Sequence, residues 1–97
     1  ILKSACGVRL INSLYNQVIL FYLSNNQLIE ITENDFSKLF NLIELDLSIN
    51  LLTHIDSNAF TDLKSLVHLN LSLNRLEFID QNLTKPLNNL IKLDLSR

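Results

Sequence analysis

The sequence predicts an α/β solenoid, with short parallel strands on one face and mostly irregular segments on the other. Three observations lead there. Asn26, Asn50 and Asn74 fall at equal intervals of 24 residues. Each sits in one frame of apolar residues, written out once as Leu42-x-x-Leu45-x-Leu47-x-x-Asn50-x-Leu52-x-x-Ile55 and matched from Val18 to Ile31 and from Leu66 to Ile79. The composition also suits a packed core, being 47% hydrophobic and 19% charged with a single Gly and a single Pro. A fixed period of this length marks a stack of identical supersecondary units.

The 97 residues form one domain, or a fragment of one. Residues 1–17 read as an irregular first coil, 18–41, 42–65 and 66–89 as full repeats, and 90–97 as a truncated repeat begun by Leu90-x-x-Leu93-x-Leu95. The net charge of -2 comes without a basic block, so nothing in the sequence points to nucleic acid. No apolar run approaches the roughly 20 residues of a membrane span. The nearest, Val18 to Leu23, is explained as a strand of the repeat. With Cys6 the only cysteine, cysteine spacing carries no information.

Within each coil, the alternation around the last two leucines is that of a short strand with one buried face. Leu45 and Leu47 are expected inside, with Glu44, Asp46 and Ser48 outside; Leu69 and Leu71 stand likewise against His68, Asn70 and Ser72. A strand this short needs neighbours. Burying each leucine contributes about 1.5–3 kcal/mol, against about 1–2 kcal/mol of backbone entropy for every ordered residue. One coil loses that contest and several win it.

The asparagines follow the strands, where the chain turns sharply between neighbouring coils. An inward Asn amide carries two donors and an acceptor, enough to satisfy the backbone groups such a turn would strand. Asn26, Asn50 and Asn74 are therefore expected as a structural ladder, and losing one is expected to cost on the order of 1–3 kcal/mol. On the return leg Ile31, Phe36 and Leu39 match Ile55, Phe60 and Leu63, and all six are expected inside. The third leg keeps Ile79 and Leu87 but has Thr84 at the phenylalanine position, so Leu83 is expected to swing inward. Pro86 argues against a regular helix through that leg, and the return legs read as loops with short helical turns rather than full helices. In the first coil two readings stay open: Cys6 takes the asparagine slot of a shortened coil (Cys6-x-Val8-x-x-Ile11), or it belonged to a disulfide cap.

Side chains that the solenoid does not need are left for recognition. They form two outward columns, Leu20, Glu44, His68 and Lys92 in one, Tyr22, Asp46, Asn70 and Asp94 in the other. Tyr22 is the best single anchor, because tyrosine buries area while keeping a polar tip; the plain alternative is a solvated strand face. Ser24, Ser48, Ser72 and Ser96 recur with the fold and read as structural rather than nucleophilic. Asn70-Leu71-Ser72 and Asn82-Leu83-Thr84 are N-glycosylation acceptors if the chain is secreted. Asn82 is the favoured site, and a sugar on Asn70 would obstruct the strand face. An enzyme is not expected: His54 and His68 fall in different parts of the coil, Cys6 has no base partner, and there is neither a phosphate-binding glycine loop nor a metal-ligand cluster. No cofactor is expected.

The frame Leu-x-x-Leu-x-Leu-x-x-Asn-x-Leu-x-x-Ile, with Phe60-x-x-Leu63 after it, resembles the "typical" leucine-rich repeat of animal extracellular and receptor proteins. The resemblance covers residues 18–95 well and 1–17 weakly. It implies a leucine-rich repeat solenoid, a right-handed superhelix with the strands lining its concave face. Asp46-Leu47-Ser48-x-Asn50 and Asn70-Leu71-Ser72-x-Asn74 are similar to the dialect of Toll-like receptor ectodomains, and insect leucine-rich immune proteins share the subfamily. The resemblance therefore implies extracellular recognition of a protein or ligand by part of a receptor or innate immune factor. The alternative is a structural or adhesion protein of matrix or cell surface. Cysteine-rich caps, usual in the family, are not complete here, which implies a fragment or an array joined to more repeats. The open C-terminal coil is an expected site of self-association.

Overall fold

The structure, a computed structural model, describes residues 19–97; the readings of the first coil and of Cys6 lie outside the described residues. Three-residue strands form where the leucine frame alternates: β1 (Leu20–Tyr22), β3 (Glu44–Asp46), β5 (His68–Asn70) and β6 (Lys92–Asp94). They pair in parallel in the order β1-β3-β5-β6. The register is the sequence period itself, with Leu45 opposite Phe21 and Leu69, and Leu93 opposite Leu69. Leu45, Leu47, Leu69 and Leu71 are buried as expected. All six matched return-leg residues, Ile31, Phe36, Leu39, Ile55, Phe60 and Leu63, are buried too. A run of rings links the coils: Phe21 meets Phe36 edge-on with centroids 5.9 Å apart, and Phe36 lies 6.1 Å from Phe60. Such pairs add to the area term when offset or edge-on.

The asparagine ladder has a defined geometry. The Asn50 Oδ1 accepts from the backbone N–H of Asn26 (3.2 Å) and of Leu28 (3.1 Å), both one coil back. Its amide nitrogen donates to the carbonyls of Leu23 (3.0 Å), Leu47 (3.1 Å) and Ser48 (3.1 Å). Asn74 does the same one coil on, accepting from Leu52 N–H and donating to Leu47, Leu71 and Ser72. Asn26 donates to Leu23 and Ser24. The Asn50 and Asn74 amides thus each tie their own turn to the preceding one, and among the described residues no buried side-chain polar atom lacks a partner.

Two features depart from the sequence reading. Ser48 and Ser72, expected outside, are 6% and 7% exposed. The cause is local: each hydroxyl donates to the side chain two residues back, Ser48 to Asp46 Oδ1 and Ser72 to Asn70 Oδ1, both at 2.6 Å, and the same oxygens take the serine N–H. This Asx-type turn rolls the serine under the strand end. The second departure is a second sheet. Residues of the return leg pair as β2 (Glu30–Ile31) and β4 (His54–Ile55), giving the other face more order than expected. The third return leg holds a single helical turn, α1 (Gln81–Thr84), with the Asp80 side chain accepting from Asn82 N–H as its N-cap, in line with the short helical turns expected of the return legs. It ends two residues before Pro86, and the residue it buries is Leu83, which fills the inside of the third leg as expected; Ile79 is only partly buried there.

The residue before each ladder asparagine is left-handed: Asn25, Ile49 and Leu73 have φ of 57°, 54° and 56°. Asparagine tolerates this conformation, whereas a β-branched isoleucine in it is strained by roughly 1–2 kcal/mol. The bend persists because cross-coil bonds hold it: Asn25 N–H donates to Ser48, Ile49 N–H to Ser72 and Leu73 N–H to Ser96.

Candidate functional site

The parallel register sets every outward strand residue beside its counterparts. Leu20, Glu44, His68 and Lys92 form one column and Tyr22, Asp46, Asn70 and Asp94 the other, as the sequence predicts. Tyr22, Glu44, Asp46, His68, Asn70, Lys92 and Asp94 line one shallow cavity of about 160 Å³ on the sheet face. Leu20 stands exposed at its edge rather than in its lining.

Glu44 is the hub of this face. Its Oε2 accepts a 2.7 Å hydrogen bond from the Tyr22 hydroxyl, and its Oε1 lies 3.3 Å from His68 Nδ1. One carboxylate therefore joins side chains from three consecutive coils. Tyr22 remains 58% exposed, so its ring is presented to solvent while its tip is held. The hydrogen bond to Glu44, with the charges of Glu44 and Asp46, raises the phenol above its ordinary 10.0. The unfolded phenol releases its proton first, so this contact contributes stability that is full below pH 10.0 and is lost as pH rises through the raised value. Following the Tyr22 ring resonances through an alkaline titration is expected to show a late transition, and Glu44→Ala is expected to move it back down. An unmoved transition in that variant would remove Glu44 as the cause.

The second column is partly committed to the fold. One oxygen each of Asp46, Asn70 and Asp94 accepts from the serine N–H two residues on. That bond and the Ser96 hydroxyl hold the Asp94 carboxyl below its ordinary 3.8, a contribution to stability present above that pH and lost as pH falls through the lowered value. The second carboxylate oxygen of Asp46 and Asp94 and the amide nitrogen of Asn70 take no part in these turns, and all three residues line the cavity.

Two flanking rows escaped the sequence reading. Ile19, Ile43, Val67 and Ile91 stand in register at the strand entries, bound through Ile19 O, Ile43 O and Val67 O to the next coil. Ile49 and Leu73 line the opposite margin, about half exposed. Four β-branched residues at one interval were a readable signal, hidden because the frame treats that position as free. The polar columns thus lie between two aliphatic rims.

Of the other sequence candidates, His54 lies in β4 of the second sheet and His68 on the first, so the structure does not bring the two together. Asn82 is exposed on α1. Among the described residues there is no cluster of side chains able to hold a metal, and no helix long and apolar enough to cross a membrane.

Stacked parallel strands in a fixed frame, bound by a ladder of asparagines, define a class, and comparison with known families agrees. Residues 40–97 match the family described as Leucine rich repeat, more than half of the chain, and the chain belongs to that family. Such repeats generally mediate protein binding and are typically non-enzymatic modules. No curated protein matches the sequence.

Proposed function

We propose that the chain is a recognition segment of an extracellular receptor or innate immune factor, and that it binds a protein partner on the face of its four-stranded sheet. The observation that carries this reading is the Tyr22–Glu44–His68 network. Three coils place one exposed aromatic anchor and its polar partners where the solenoid has no use for them. Leu20, Asp46, Asn70, Lys92 and Asp94 complete the contact surface, and the aliphatic rims extend it. In this reading the sheet is the concave side of a right-handed superhelix. The motif dialect around Asp46-Leu47-Ser48 supports the likeness to Toll-type ectodomains, and the acceptor Asn82, exposed on α1, supports a secreted chain that carries its sugar away from the sheet.

The test is to produce the chain through a secretory pathway and capture partners from extracellular fluid. Intact mass is expected to fall on glycosidase treatment, with the loss abolished by Asn82→Gln. Tyr22→Ala and Asp46→Ala are expected to reduce capture at least about tenfold, the scale of an interface hot spot. Capture undiminished in both variants would move recognition off the sheet face.

A further inference from the structure

Backbone hydrogen bonding between the second and third coils stops midway along the return leg, although the Asn89 side-chain amide donates to Lys64 O (2.7 Å) at its end. Between the first and second coils, Leu51 N–H donates to Leu28 O, Thr53 N–H to Ile29 O and Asp56 N–H to Ile31 O, each at 2.9 Å. One coil on, Arg75 N–H donates to Leu52 O, but among the described residues no bond joins Glu77 N–H to Thr53 O or Asp80 N–H to Ile55 O. Among the described residues the β2–β4 sheet accordingly has two strands. Where the third leg parts from β4 there is a cleft of about 200 Å³.

The cleft has an apolar body and a rim of acceptors. Ile55, Leu76, Ile79 and Leu83 form its walls, with Phe78 at the mouth, 81% exposed. By register, the Thr53 and Ile55 carbonyls face the third coil, and no described residue of that coil donates to them. Asp56 and Asp80 each spend one oxygen on a turn, accepting from Asn58 N–H and Asn82 N–H at 2.8 Å; the second oxygen of each is left over. His54 is the remaining titratable group in the lining, and no Lys or Arg is among the lining residues. A cavity of about 150 Å³ holds a benzene-sized molecule. Acceptors and carboxylates around such a volume complement a cation, and an aromatic face at the mouth attracts one.

We infer that this cleft binds a small amphiphilic amine, its ring or branched alkyl body against Ile55, Ile79 and Phe78 and its ammonium on Asp56, Asp80 and the open Thr53 carbonyl. The site lies on the return leg, and its test does not depend on the sheet-face reading. Protein resonances are followed during titration with phenethylamine, benzyl alcohol and phenylpropionate, which pair one ring with a positive, neutral and negative tip. Phenethylamine is expected to shift the Ile55, Ile79 and Leu83 methyl resonances saturably and to bind more tightly than the alcohol, with the acid weakest. Asp56→Asn with Asp80→Asn keeps the turn-forming oxygens and removes both charges. It is expected to weaken phenethylamine roughly tenfold, to the level of benzyl alcohol. The inference is overturned if the amine shifts no cleft methyl, if it binds no better than the alcohol, or if the double variant holds it as tightly as the parent.

Discussion

Truncating Phe60 to alanine is expected to destabilise the fold by roughly 3–5 kcal/mol. Phe60 is fully buried in the middle complete coil, and its ring lies 6.1 Å from Phe36, which in turn meets Phe21. Its removal deletes a large apolar area and opens a hole beside a first return leg held in place by its hydrogen bonds to the second, which limits collapse. Domains of this size are stable by about 5–15 kcal/mol in total, so the loss takes a large share of the whole. Phe60→Leu is expected to cost less, because the third coil already shows a leucine, Leu83, filling the corresponding interior. Urea unfolding followed by circular dichroism measures both. Equal and small losses in the two variants would show that the ring run does not hold the coils.

Asn50→Ala is the second large effect, expected at about 3–4 kcal/mol, above the single-bond scale of about 1–3 kcal/mol. A side chain only 5% exposed accepts from two backbone N–H groups and donates to three carbonyls. Alanine removes the acceptor of the Asn26 and Leu28 N–H groups at the seam between two coils and takes one donor from each of the three carbonyls, which keep Asn26 Nδ2, Asn74 Nδ2 and the Asn25 N–H. Asn74→Ala is expected to cost less, because Asn74 is only partly buried and its oxygen takes the Leu52 N–H alone among the described residues. Asn50→Asp separates the two halves of the amide: it keeps the acceptor for Asn26 and Leu28 and loses the donor to the carbonyls. An Asn50→Ala loss no greater than that of Asn74→Ala would contradict this ordering.

Periodicity made legible whatever repeats through burial. The inward leucines, the six return-leg residues, the two outward columns and the ladder could all be placed because one residue type recurs at one offset. Leu83 was readable for a related reason: with Thr84 at an apolar position, the nearest leucine had to serve. Contacts between side chains were not readable. Ser48 and Ser72 lie inside because a hydroxyl two residues on finds an aspartate or asparagine oxygen, an interaction that overrides strand alternation. The two-residue pairing of β2 with β4 is too short to give a period. The left-handed Ile49 and Leu73 carry residues that ordinarily mark the opposite conformation. At the site, the sequence placed Tyr22, Glu44 and His68 on one face, but their joining through Glu44 depends on rotamers across three coils.

The central claim is that the turn asparagines bind each coil to the next and so align the outward columns. Amide hydrogen exchange in Asn50→Ala tests it most directly. The Asn26 and Leu28 amides, both held by Asn50 Oδ1, are expected to lose protection by at least about tenfold beyond any change at Leu52, whose amide is held by Asn74 Oδ1. Equal changes at all three amides would contradict the ladder as the link between coils.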